Sequence, residues 1–90
     1  MAIKADIIKT DIILTLTDQS TTAGFLGYEI ERSREGSAWL AWTGSAWVEG
    51  GVSALSARNR FTDYEVSDGI YQYRARARFG VDPDYTFSEY

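Results

Sequence analysis

The sequence predicts an all-β chain folded as one antiparallel β-sandwich of about seven short strands. Three observations carry that expectation. Apolar and polar residues alternate along several short stretches, and no long window repeats apolar residues at the spacing of a helix face. Turn-forming clusters separate these stretches at the short intervals of a sandwich, without the helical segments of a parallel sheet. With 90 residues, 44% hydrophobic and 14% aromatic, the chain is too apolar for disorder and long enough for one small core.

The elements follow in order. Residues 1–11 read as an N-terminal arm or a first strand, and residues 12–90 as a single sandwich domain. Lys4, Asp6, Lys9 and Asp11 break up the apolar character that a signal peptide needs. The longest aliphatic run, Ile12-Ile13-Leu14, is far short of the roughly 20 residues that span a bilayer. Ile12, Leu14 and Leu16 alternate with Ile13, Thr15 and Thr17 as a strand, and Asp18 to Gly24 is a polar loop. Gly27 to Arg32 alternates again, with Tyr28 and Ile30 on one face and Glu29 and Glu31 on the other. Ser33 to Gly36 reads as a turn. Gly50 and Gly51 open a looser stretch to about Arg58, with room for one helical turn at most. Arg60 to Tyr64 is a short strand and Glu65 to Gly69 a corner. Ile70 to Phe79 is the clearest strand: Tyr71, Tyr73, Ala75 and Ala77 share one face, and Gln72, Arg74, Arg76 and Arg78 the other. Gly80 to Asp84 is a loop holding the only proline, Pro83, and Tyr85 to Tyr90 closes the chain as an edge strand.

Trp39 to Glu49 is a hairpin. Gly44-Ser45 is a two-residue loop with glycine first, as a type II′ turn requires. That loop pairs Thr43 with Ala46, Trp42 with Trp47, Ala41 with Val48 and Leu40 with Glu49. Trp42 and Trp47 then form an aromatic cross-strand pair on one face, and Trp39 points to the opposite face. One hairpin face meets the core, so at least one large aromatic stays near solvent, where tryptophan is enriched in contact sites. Trp39, Trp42 and Trp47 are the candidate binding residues. The alternative is that the pair only covers the end of a small sandwich.

Asp68-Gly69-Ile70-Tyr71-Gln72-Tyr73-Arg74 is the most specific stretch. It resembles the immunoglobulin pattern Asp-x-Gly-x-Tyr-x-Cys, with Tyr73 at the cysteine position. It is similar also to the fibronectin type III pattern Gly-x-x-Tyr-x-Tyr-Arg, shortened by one residue. Gly27 to Ser33 resembles that family's strand C. The resemblance implies an immunoglobulin-like, fibronectin type III-like sandwich over about residues 12–90, with Tyr71 and Tyr73 as structural corner residues. The family's strand-B tryptophan is missing, with Leu14 or Leu16 in its region. The resemblance also makes strands C and F neighbours, so Glu29 and Glu31 face Arg74, Arg76 and Arg78. Such a row reads as a charge ladder, or as an arginine row for a carboxylate or phosphate ligand.

Composition excludes much chemistry. No histidine and no cysteine means no triad of the usual kind, no disulfide and no common zinc site. A net charge of −4 argues against nucleic acid and anionic membranes as partners. Asp63 with Asp68, or Asp82 with Asp84, are imaginable carboxylate pairs, and Asp82-Pro83-Asp84 reads as a polar turn in preference to a calcium loop. The expectation is a non-enzymatic module without metal or cofactor.

Within the resembled families, a cysteine-free copy with its own Met1 and no export signal fits a bacteriophage structural protein best. That implies synthesis in the cytoplasm and assembly onto the virion, by protein–protein contacts with capsid or tail subunits, as a decoration or tail appendage. Docking would use the tryptophan hairpin, an edge strand or the N-terminal arm, and edge strands also permit a homo-oligomer. Two alternatives stay open: a module binding a glycan or cell surface through Trp39, Trp42 and Trp47, and an engineered or excised extracellular fibronectin-like scaffold.

Overall fold

The structure, a computed structural model, describes residues 2–8, 11–64, 66, 69–81 and 84–90. Among them are eight strands and no helix: β1 (Ile3–Ile8), β2 (Asp11–Leu16), β3 (Phe25–Arg34), β4 (Leu40–Trp42), β5 (Trp47–Glu49), β6 (Arg60–Asp63), β7 (Tyr71–Val81) and β8 (Asp84–Phe87). They form two sheets, one ordered β1-β2-β6 and one ordered β5-β4-β3-β7-β8. Every neighbouring pair is antiparallel. Eight strands replace the expected seven or so because residues 3–8 pair along the whole of β2.

The core lies between the sheets and follows the alternation. Leu14 and Leu16 reach it from β2, Tyr28 and Ile30 from β3, and Ala75 and Ala77 from β7. The two fully buried large residues of β3 stand beside small ones of β7, Tyr28 opposite Ala77 and Ile30 opposite Ala75. That large-to-small pairing leaves room for the leucines of the other sheet. Complete burial of Leu14 and Ile30 stabilises the fold by about 1.5–3 kcal/mol each. Tyr28 brings a hydroxyl into this apolar layer, so it needs partners. It donates to the Thr17 carbonyl (3.1 Å) and accepts from the Gln19 N–H (2.8 Å), pinning the loop after β2.

Four expectations are corrected. Gly80 to Asp84 is not an open loop: Gly80 pairs with Tyr85 and Val81 with Asp84. Gly80 has φ +106°, and a Cβ there would collide with the Asp84 carbonyl, so glycine lets the ladder run on. Ser33 belongs to β3, and the turn comes after Arg34, closed by Ser33 Oγ donating to the Ser37 carbonyl (2.8 Å). The stretch after Gly50 takes no helical turn. Instead Ser56 bridges Tyr28 through two backbone bonds of 2.8 and 2.9 Å, continuing the edge beside β3. Leu55 lies over Gly27, where a side chain would block this approach. Finally, β7 begins at Tyr71, leaving Ile70 exposed outside it.

Candidate binding site at the tryptophan hairpin

The hairpin has the expected register, with Leu40, Ala41 and Trp42 opposite Glu49, Val48 and Trp47. Gly44 has φ +100°, the left-handed start that its turn needs. The Trp42 and Trp47 rings stand 5.2 Å apart on the inner face. Phe61 of β6 crosses from the other sheet and meets both edge-on, at 5.7 and 5.9 Å. Trp39 lies on the outer face, 4.3 Å from the Arg74 guanidinium. The three tryptophans are therefore not one platform, since the strand alternation sends Trp39 away from the other two.

Behind the hairpin is a charge cluster that joins the sheets. Asp63 is only 5% exposed, on the core side of β6. Its Oδ2 accepts from Arg32 Nη1 (2.7 Å) and from the Tyr73 hydroxyl (2.6 Å), and its Oδ1 from Trp47 Nε1 (3.3 Å). One carboxylate of the small sheet thus gathers β3, β5 and β7 of the large one. The Arg32 guanidinium also stacks on Trp47 (4.6 Å) and Tyr71 (5.0 Å). Burial raises the pKa of Tyr73 far above the usual phenol value, and the bond to the Asp63 carboxylate adds to the rise. Tyr73 is a neutral donor at any physiological pH.

A recess of about 490 Å³ opens beside this cluster. Trp42, Trp47, Phe61, Tyr64 and Tyr71 line it, with Arg32 and Asp63 also on its wall. Tyr64 is 71% exposed at the rim. The buried Nε of Arg32 has no partner among the described residues. The arrangement offers aromatic faces beside a guanidinium and a carboxylate, which suits a side chain or sugar with an apolar face and a polar rim.

The outer face of the large sheet carries the expected ladder. Arg74 Nε donates to Glu31 (2.6 Å), Arg76 Nε to Glu29 (2.8 Å), and Arg78 to the second Glu29 oxygen through Nε (3.0 Å) and Nη2. Glu31 and Glu29 stand directly opposite Arg74 and Arg76 in the register. Burial of Glu29 works to raise its pKa, but the bonds and charges of Arg78 and Arg76 outweigh it and leave the value lowered. Aromatic rings cover the other side of the row: Tyr90 over Arg74 (4.2 Å), Phe87 over Arg76 (3.9 Å) and Tyr85 over Arg78 (4.8 Å). These arginines are held by glutamates and rings, as a ladder.

Several sequence-predicted residues separate by role. Tyr73 joins the inter-sheet cluster, and Tyr71 lies half-buried under Arg32 and Arg34. A hydroxyl that pins a loop is found on Tyr28. Residues Glu65, Ser67 and Asp68 of the corner, and Asp82 and Pro83 of the last turn, lie outside the described residues. Asp63 is not paired with a second carboxylate; Arg32, Tyr73 and Trp47 hold it. Sequence reasoning missed Arg32 and the inward role of Asp63. The signal was phase: Arg32 is in step with Tyr28 and Ile30, and Asp63 with Phe61, both on the apolar face. Comparison with protein-family models, curated proteins and solved structures finds no significant match for the chain.

Proposed function

We propose that the chain is a non-enzymatic structural and binding module of fibronectin type III-like, immunoglobulin-like type. It acts by protein–protein contacts as a virion accessory protein, on the capsid or the tail, after synthesis in the cytoplasm. The observation that carries the binding role is the recess at the hairpin, where half-buried aromatic rings surround a rigidly held Arg32–Asp63 pair. Rigid aromatic anchors with a desolvated arginine are the usual content of interface hot spots. The neighbouring placement of β3 and β7, with the tyrosine-rich start of β7, supports the fibronectin-like type.

The test is co-sedimentation of the tagged chain with purified virions, comparing the wild type with Tyr64→Ala. Tyr64 is exposed at the rim, so the variant keeps its fold. Binding that falls at least about tenfold in the variant, about 1.4 kcal/mol, supports the reading. Absence of virion binding, together with capsid- and tail-free genes around its own, overturns it. The same recess favours a second reading, because aromatic faces beside a carboxylate and a guanidinium also suit a pyranose ring. Glycan-array binding lost in Tyr64→Ala would put that reading first.

A further inference from the structure

The outer ladder sets three arginines, Arg74, Arg76 and Arg78, against two glutamates, Glu29 and Glu31. Arg76 and Arg78 share Glu29, so the row keeps an excess of positive charge on a chain whose net charge is −4. Arg74 is the most open of the three, with 34% of its side chain exposed. It donates to Glu31 through Nε (2.6 Å), and no other acceptor meets its guanidinium among the described residues. The Trp39 and Tyr90 rings, 4.3 and 4.2 Å away, hold that guanidinium in place. Its Nη1 and Nη2 donors are therefore positioned but unspent. A second recess, of about 530 Å³, adjoins them, bordered by Ile3, Trp39, Gln72, Tyr73, Arg74 and Tyr90. Gln72 is exposed there, and Tyr90 is 42% exposed. Tryptophan, tyrosine and arginine are the residues that dominate interface hot spots, and here one of each lies in contact and partly open to solvent.

We propose that this patch is a docking surface for an acidic segment of a protein partner, one that sets a carboxylate beside an apolar side chain. The carboxylate takes the Nη fork of Arg74, whose planar donors match two carboxylate oxygens. The Gln72 amide offers a further donor at the same border. The apolar side chain of the segment enters the recess against Trp39, Tyr90 and Ile3. Charge selects this occupant. A basic segment would meet the excess arginine charge of the row, and the Trp39 and Tyr90 faces turned to Arg74 already hold a cation. Because the rings and Glu31 fix the guanidinium beforehand, docking costs little further ordering of its long side chain. The patch gives Trp39 a role of its own, on the sheet face opposite Trp42 and Trp47. It stands on the geometry of that face and is independent of the hairpin recess and of the virion reading.

The probe is a fluorescein-labelled peptide alternating glutamate with leucine, and the control is the same peptide with glutamine at each glutamate. Fluorescence anisotropy follows both at about 0.15 M salt, with protein up to about 1 mM. The glutamate peptide should bind at least about threefold more tightly than the control. Gln72 is exposed at the border of the recess, so its charge variants keep the fold. Gln72→Lys adds a positive charge beside Arg74 and tightens the glutamate peptide. Gln72→Glu competes for Arg74 and weakens it. Each shift should be about 2- to 5-fold in the dissociation constant, the scale of an exposed charge pair. Tyr64→Ala, at the rim of the hairpin recess, should leave this affinity unchanged, which separates the two surfaces. No binding of the glutamate peptide up to about 1 mM overturns the proposal. So do equal affinities for the two peptides, Gln72 variants that bind alike, or binding lost in Tyr64→Ala.

Discussion

The inner and outer faces of β3 both carry ion pairs, and the two differ in what they join. On the inner face Arg32 reaches across to Asp63 of the other sheet, among Trp47, Tyr71 and Tyr73. On the outer face Glu29 and Glu31 bind arginines of the adjacent strand in the same sheet. The inner pair fixes how two sheets stack, and the outer pairs fix how two strands slide. Glu29 is as buried as Asp63, so a lost partner strands a charge on either face, and only the more open Arg74–Glu31 pair can turn to water instead. The same chemistry therefore joins two sheets on one side of the strand and holds two strands in register on the other.

Removing the inner carboxylate gives the largest effect. Asp63→Ala leaves Arg32, Tyr73 and Trp47 without their acceptor, and urea unfolding should show a loss of about 3–5 kcal/mol. Replacing Arg32 by Met and Asp63 by Leu together should cost clearly less than Asp63→Ala alone, because no charge is stranded. A loss below about 1 kcal/mol for Asp63→Ala would erase the contrast between the faces.

Next comes Tyr73→Phe, which deletes one donor to a charged acceptor and should cost about 1.5–3 kcal/mol. It also changes the alkaline limb. The folded pKa of Tyr73 is raised above the ordinary phenol value of 10.0, so its contribution is complete below pH 10. It is lost as pH rises through that value toward the folded one. Thermal melts of the wild type should fall more steeply above pH 10 than those of Tyr73→Phe.

On the outer face, Glu29→Gln should cost about 1–2 kcal/mol, since Glu29 accepts charge-assisted bonds from both Arg76 and Arg78. Its folded pKa is lowered from 4.5, so its contribution is present above pH 4.5 and is lost as pH falls below it. Acid titration followed by fluorescence should show a shallower loss in Glu29→Gln over that range. The smallest effect belongs to Glu31→Ala, about 0.2–1 kcal/mol, and it should shrink further in high salt.

Much of the architecture was legible because alternation is local. The phase of Tyr28, Ile30, Ala75 and Ala77 places the core, and Gly44-Ser45 sets the hairpin register down to the Trp42–Trp47 pair. The outer ladder was legible too, once β3 and β7 are neighbours. The binding site was legible only in part. Grouping the three tryptophans joined residues that the sheet separates, and Phe61, Tyr64 and Asp63 enter the recess from β6 and just beyond it, distant in sequence. The run from Gly80 to Asp84 looked like a loop because glycine, aspartate and proline are turn formers, yet there the ladder continues nearly to the turn.

The sequence by itself determined the strands, their inward faces and the absence of histidine and cysteine chemistry, since each depends on residue type and two-residue periodicity. Tertiary structure decided which inward polar residues meet. Arg32 and Asp63 lie on different sheets and 31 residues apart, and only stacking the sheets brings one to the other. It also decided how far β8 runs along β7, opposite Arg78 to Val81, because the extent of a ladder depends on the neighbouring chain as well as on the strand itself.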